Sequence, residues 1–250
     1  MPSSPASSSN SLVTVRCLGC GREFDTEQVI LLGQTFAAER YCELCREAHK
    51  ASVGEQQVND RWRRVMVPSA YRECSFANFE RAPGTAHALG VCSQWAKEYR
   101  AGTPLRQGLL LRGRPGAGKT HLAVAILREI VWSDRPRSAL FINVPQWLNE
   151  LRASFGEGEP PANPSGYDIV VLDDLGAESW KDWARDRIYS LINQREQERL
   201  LTLVTTNCEW GELAGRVGGP TASRLRRLTR EVHVDAQRDF REILVERNAA

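Results

Sequence analysis

From residue 108 onward the chain alternates short apolar runs with longer stretches of helical spacing. Gly108-Leu-Leu-Leu-Arg112 is an apolar run bounded by turn residues, the pattern of a buried strand. Residues 118–132 place Leu122, Ala125, Ile126 and Ile130 at helical intervals. Ala139-Leu-Phe-Ile-Asn-Val144 reads as a second strand, and Pro145 opens a helix to about Phe155 with proline at its first position. Residues 156–166, made mostly of Gly, Glu and Pro with an Asn and a Ser, read as an exposed loop. Asp168-Ile-Val-Val-Leu-Asp173 is a third strand, 180–198 a charged helix, Leu200-Leu-Thr-Leu-Val-Thr205 a fourth strand and Glu231-Val-His-Val-Asp235 a fifth. Strands this short, separated by helical stretches, predict an α/β fold with a parallel five-stranded sheet and helices on both faces. There is no internal repeat.

The N-terminal part patterns differently. Residues 1–12 are Ser- and Pro-rich and read as a disordered tail. Residues 13–50 carry two cysteine pairs, Cys17-x-x-Cys20 and Cys42-x-x-Cys45. Each pair points two sulfurs at one place, and the intervening loop brings the second pair opposite, as a tetrahedral Zn²⁺ site requires. Gly19 and Gly21 suit the first knuckle turn, and Gln28-Val-Ile-Leu-Leu32, Phe36 and Tyr41 supply short strands. A module of about 50 residues buries little core, and a metal compensates for that. His49 is an alternative fourth ligand, ranked below the four thiols because it lies outside the knuckle spacing. Residues 46–66 are polar and helical in tone, giving a linker helix over 51–67 that ends in Arg61-Trp62-Arg63-Arg64. Trp62 there can stack on a nucleic-acid base or partner surface, or pack against the next domain. The remaining residues, 68–250, form the α/β domain.

Composition narrows the class. With 250 residues, 42% apolar and 26% charged, the chain is ordinary for a globular protein of one medium domain or a small module plus a larger one. No apolar run approaches the roughly 18 residues of a membrane span. The first residues lack the apolar stretch of a secretory signal, which predicts a cytoplasmic protein and makes the seven cysteines thiols or metal ligands rather than disulfides. Net charge is only +2, so the whole-chain field gives little attraction for nucleic acid. The 33 basic residues are nearly all arginine, the better fork for phosphate.

The candidate chemistry begins after the first core strand. Gly113-Arg114-Pro115-Gly116-Ala117-Gly118-Lys119-Thr120 fits G-x-x-x-x-G-K-[ST] between a predicted strand and a predicted helix. Glycines let backbone N–H groups curl around phosphates, and the helix aims its positive end at the anion. Lys119 reaches the β- and γ-phosphates, and the Thr120 hydroxyl ligates Mg²⁺. Asp173 and Asp174 end the third strand at the ligand crevice. Asp173 suits a Mg²⁺-holding acid and Asp174 a group that orients the attacking water. Two adjacent acids repel unless a cation sits between them. Asn207, at the tip of the fourth strand, can hydrogen-bond the γ-phosphate or the water. Arg224, Arg226 and Arg227 lie on a short basic helix, where one can serve as an arginine finger toward a neighbouring subunit or contact nucleic-acid phosphate.

Together these residues resemble the AAA+ helicase loaders of the DnaC/DnaI type and their transposon-encoded IstB-like ATPase relatives, from about Val67 to Arg241. The resemblance includes the lead-in Val67-Pro-Ser-Ala-Tyr-Arg72 and Ser75-Phe-Ala-Asn-Phe79, the stretch from Phe141 to Arg152, and Tyr167 to Gly176. It also includes Thr205-Thr-Asn207, Ser223-Arg-Leu225 and Asp239-Phe-Arg241. It implies a P-loop AAA+ core preceded by a zinc module. It assigns Lys119 and Thr120 to nucleotide and Mg²⁺, Asp173 and Asp174 to Walker B, Asn207 to sensor 1 and Arg224 to the finger. The implied activity is slow, switch-like ATP hydrolysis coupled to single-stranded DNA and a hexameric replicative helicase in replication initiation, in a homo-oligomer or an assembly stacked on the helicase ring. In the DnaI type a zinc-bearing N-terminal domain contacts the helicase.

Two departures stand out. Asp174 stands where many AAA+ proteins carry Glu, one methylene longer. About 15 residues follow the fifth strand, too few for a C-terminal helical lid with a second sensor. The alternative is an IstB-like transposition ATPase that regulates a transposase on duplex DNA; the zinc module favours the loader. A zinc-dependent adaptor that binds nucleotide without hydrolysis is opposed by Lys119, Thr120, Asp173 and Asn207. A small-molecule kinase would need an acceptor site and a lid.

Overall fold

The computed structural model describes residues 12–18, 20–31, 34–37, 39–40, 42–133, 137–155, 158–177, 182–236 and 240. The chain divides into two compact units, Met1–Asn59 and Asp60–Ala250. Most of the expected tail, and Gly19, Tyr41, Asp239 and Arg241, lie outside the described residues, as does the His49 side chain. Of the residues beyond 236 only Phe240 is described, so the expected lidless end falls mostly outside them as well.

In the first unit, β1 (Leu12–Arg16), β2 (Glu23–Leu31) and β3 (Gln34–Ala37) form an antiparallel sheet in that order. The strands between the knuckles are therefore longer than expected, and β1 precedes the first knuckle. Gly21, at φ +73°, makes the first knuckle turn, closed by Cys17 N–H to the Arg22 carbonyl at 2.8 Å and Gly21 N–H to the Cys17 carbonyl at 2.9 Å. Helix α1 (Glu43–Arg64) starts within the second cysteine pair, well before the expected position 51. Glu43 in its first turn and Arg61, Arg63 and Arg64 in its last match the helix dipole at both ends.

The second unit is built on a five-stranded sheet of β4 (Gly108–Arg112), β5 (Ala139–Asn143), β6 (Ile169–Asp173), β7 (Leu201–Thr206) and β8 (Thr229–His233). The strand order is β5-β6-β7-β4-β8 and every pair is parallel, as the sequence predicts. Strand β8 begins two residues earlier than expected, because Thr229 and Arg230 pair with Gly108 and Leu109. Alternate residues face opposite layers. Leu109, Leu111, Phe141, Ile169, Val171 and Leu203 share a core with α2 (Ala86–Arg100) and α3 (Lys119–Val131). Leu110, Leu140, Ile142, Val170, Leu172 and Val204 share the other core with α4 (Val144–Ala153), α5 (Asp182–Gln197), α6 (Trp210–Val217) and α7 (Gly219–Leu228). Helices α2 and α6 were not read from the sequence. Trp62 packs edge-to-face on Trp132 at 5.3 Å, within this unit and against its core, the packing alternative rather than a free stacking platform.

One charge lies inside the second core. Arg195 is completely buried and donates to the carbonyls of Pro164, Tyr167 and Leu201 and to the Thr202 hydroxyl. Burial pushes its pKa down to about 10, still charged at neutral pH. It ties the 164–167 turn to the start of β7, and the 158–166 segment is a held turn with Pro164 buried rather than a wholly exposed loop.

Candidate functional site: a phosphate cleft and a four-thiol cluster

The carboxyl ends of β4, β6 and β7 meet at one edge of the sheet, where open α/β sheets place their ligands. The loop after β4 turns directly into α3. Gly118 caps that helix at φ +89°, a conformation that glycine adopts without cost. A Cβ there would also stand 2.7 Å from Phe79 Cε2. The amide groups at the start of α3 therefore point into a cleft of about 140 Å³ that Gly116, Lys119, Thr120, Asp174 and Asn207 line together. Tyr71, His121 and Phe240 complete its wall.

Lys119 is buried with 5% of its surface exposed, and its Nζ donates to the Arg114 carbonyl at 2.7 Å. Its ammonium thus stays beside the loop instead of extending into water. Thr120 Oγ1 donates to Asp173 Oδ1 at 2.9 Å, and Thr205 Oγ1 donates to the same oxygen at 2.7 Å. Asp173 is 3% exposed; burial first, and then the charge of Asp174, hold its pKa above the usual carboxylate range. A divalent cation would relieve that repulsion. The hydroxyl of Thr120 and the two carboxylates are hard oxygen donors of the kind Mg²⁺ takes.

Asp174 sits at φ +57°, a left-handed position. It breaks the strand and turns its own side chain toward the cleft. The segment 75–79 braces the loop from outside: His121 Nε2 lies 2.9 Å from the Ser75 carbonyl and 3.1 Å from Asn78 Oδ1, with Phe79 edge-on to its ring. Burial holds the His121 pKa below its usual value.

Arg224 is not at this cleft. It lies on α7, where its guanidinium covers the Tyr189 ring at 4.8 Å and bonds Asn193 Oδ1 at 3.0 Å and Glu196 Oε2 at 3.3 Å. Arg227 bonds the other Glu196 oxygen at 2.5 Å, and Arg226 covers the Trp210 ring. Sequence reasoning missed two groups around Asp173. Thr205 was read only as part of the strand leading to Asn207. Asn143 faces Asp173 across the β5–β6 register, opposes the rise of its pKa by a side-chain hydrogen bond, and caps α4 by accepting from Gln146 N–H at 3.2 Å. An Asn two residues before Pro145 was the available signal for the cap.

The second candidate site lies in the first unit. The sulfurs of Cys17, Cys20, Cys42 and Cys45 all lie within 4.8 Å of one another. Sulfurs at about 2.3 Å from a tetrahedral Zn²⁺ are about 3.8 Å apart, and Cys20 and Cys42 stand 3.8 Å apart. Cys42 N–H donates to Cys17 Sγ at 3.3 Å, and an Arg22 hydrogen bond lowers the Cys20 pKa. Hydrogen bonds with Cys20 and Cys42 push the Cys45 thiol up to about 12, and a bound cation favours the thiolate. The donor set fits zinc.

Parallel sheet, P-loop and strand-end acids define a P-loop nucleoside-triphosphatase fold of the AAA+ kind. The chain belongs to the IstB-like ATP binding protein family, whose profile matches residues 103–238. Among curated proteins it is similar to the replicative helicase loader DnaC of Escherichia coli (strain K12), with 25% identity over 162 residues, 62% of this chain and 64% of that protein. It is also similar to the replicative helicase loader DnaI of Bacillus subtilis (strain 168), with 32% identity over 111 residues, 43% of this chain and 35% of that one. The chain thus spans less than two thirds of the length of either relative. Among solved structures, the DnaC helicase loader superposes with a TM-score of 0.58 at 24% identity, over 67% of this chain and 100% of that one. AMPPCP-bound DnaA from Aquifex aeolicus gives 0.56 at 18%, over 73% and 56%. These structural likenesses carry the fold.

Among the described residues no helix is long and apolar enough to cross a membrane.

Proposed function

We propose that the chain is an ATP-dependent helicase loader that acts inside the cell on a replicative helicase and single-stranded DNA. One observation carries this reading: the P-loop residues Lys119 and Thr120, the strand-end carboxylate of Asp174 and the strand-tip Asn207 line one cleft, with Asp173 buried behind it on the Thr120 hydroxyl, in a chain whose curated relatives are named helicase loaders.

In this reading Lys119 and the amides of 113–120 bind the triphosphate. Thr120 and Asp173 hold Mg²⁺, which when bound neutralises charge on the transferred phosphoryl group. Asp174 orients the attacking water, and Asn207 contacts the γ-phosphate end. The shorter Asp at 174 suits a slow switch. Arg224 acts in a neighbouring copy, with Tyr189, Asn193 and Glu196 fixing where it is presented. Arg224→Ala should leave ATP binding intact and lower hydrolysis in the assembled state by about 10³-fold. Single-turnover rates, assembled and dilute, check this; an unchanged assembled rate would shift the role to Arg226 or Arg227.

Phe155 and Trp183 pack edge-to-face at 6.0 Å, with Arg187 over the Phe155 ring at 5.7 Å. Phe155 is 60% exposed. An exposed aromatic beside an arginine suits base stacking on single strands. Phe155→Ala should weaken oligo(dT) binding by about 1–3 kcal/mol, read by fluorescence anisotropy. Unaltered affinity would place the DNA contact elsewhere. The zinc module, residues 13–50, is proposed to contact the helicase, with residues 68–250 as the ATPase domain.

A further inference from the structure

We propose that Thr205 is the positioning residue that sets the geometry of the Asp173–Asp174 pair and couples it to the strand bearing Asn207. This rests on the reading of the cleft as an ATP·Mg²⁺ site. The main-chain pairing of β6 with β7 ends at Leu172 and Val204. Beyond it Asp174 adopts its left-handed conformation, so the chain cannot continue the ladder. Side chains from 205–208 take over. The Thr205 hydroxyl donates to Asp173 Oδ1 at 2.7 Å and accepts from Asp174 N–H at 2.9 Å, so one oxygen fixes both acids. The Thr205 carbonyl accepts from Leu175 N–H at 2.9 Å. Thr206 Oγ1 donates to the Leu175 carbonyl at 2.7 Å, and Cys208 Sγ to the Gly176 carbonyl at 3.2 Å.

Thr205 is completely buried, so it touches no ligand itself. Its hydroxyl has one proton, spent on Asp173, and the Asp174 amide takes a lone pair. Rotating or deleting it removes a bond from both acids together: Asp173 is left to Thr120 and Asn143, and the Asp174 amide loses the hydroxyl that holds its left-handed turn. Asn207 follows two residues later on the same backbone. A shift of the β7 tip toward or away from the phosphates is therefore transmitted to the acids through this hydroxyl. Valine matches threonine in shape but cannot make either bond; serine makes both without the methyl group.

The test uses the full chain, Mn²⁺ as the metal probe with a non-hydrolysable ATP analogue, and electron paramagnetic resonance to follow the protein-bound Mn²⁺–nucleotide signal over a nucleotide-only control. Thr205→Val should weaken nucleotide-dependent Mn²⁺ binding by about 10–100-fold and, at saturating metal and ATP, lower kcat over a similar range. Thr205→Ser should restore both. Thr205→Cys, close in size and a poor donor, gives the same loss if the valine variant fails to fold. Wild-type Mn²⁺ binding in Thr205→Val or Thr205→Cys would overturn the inference alone, as would a loss in Thr205→Ser equal to that in Thr205→Val. A wild-type protein with no nucleotide-dependent Mn²⁺ binding would overturn the reading of the cleft and this inference with it.

Discussion

Lys119→Ala is expected to weaken ATP binding by about 100-fold or more, with the fold retained. A hydrogen bond to a charged group contributes about 1.5–3 kcal/mol, and in the proposed complex this ammonium serves two phosphates at once. The lysine sits on the first turn of α3 with its Nζ 2.7 Å from the Arg114 carbonyl, so the loop already holds it near the anion's place. Alanine is a strong helix former, and the core residues of α3, Leu122 to Val131, are untouched. Isothermal titration with ATP·Mg²⁺ and a thermal melt separate the two effects. Undiminished affinity in a folded Lys119→Ala protein would remove the cleft from consideration as the nucleotide site.

Removal of zinc is expected to unfold the first unit and leave the second intact. The first unit, Met1–Asn59, is a small module of one antiparallel sheet and the start of α1. A unit of that length buries too little surface to stabilise an isolated sheet and helix by itself, whereas a structural zinc site contributes about 10–16 kcal/mol. Zinc content should be close to one per chain and should be lost in Cys45→Ser. All seven tryptophans lie at position 62 or later, in the second unit. Chelation should therefore leave tryptophan emission and ATP affinity unchanged while limited proteolysis cuts the first unit. A metal-free chain that resists protease as well as the untreated one would refute the zinc assignment.

The central strands were legible because strands buried on both faces are written as continuous apolar runs, as in 108–112 and 169–173. Edge strand β8 was displaced by two residues because its pattern is half exposed and opens on Thr and Arg. Helix α2 was missed because Gly90 interrupts it and its apolar face is weak; only packing against α3 and β8 makes it a helix. Likewise, P-loop spacing and strand-end acids located most of the cleft, since their chemistry demands fixed residue types. Thr205 and Asn143 escaped because their importance comes from register: each faces Asp173 from a neighbouring strand that is distant in sequence. Arg224 could be picked out as basic, but its partners Tyr189, Asn193 and Glu196 lie on another helix, and only the fold brings them to it.

The reading as a nucleotide-switched loader is tested most directly by capture of the host's purified replicative helicase on the immobilised full chain, with ATP·Mg²⁺, with ADP·Mg²⁺ and without nucleotide. The helicase should be retained in a nucleotide-dependent manner, and Lys119→Ala should lose this dependence. Absence of helicase binding in all three conditions, with the chain folded, zinc-loaded and ATP-bound, would contradict the loader reading.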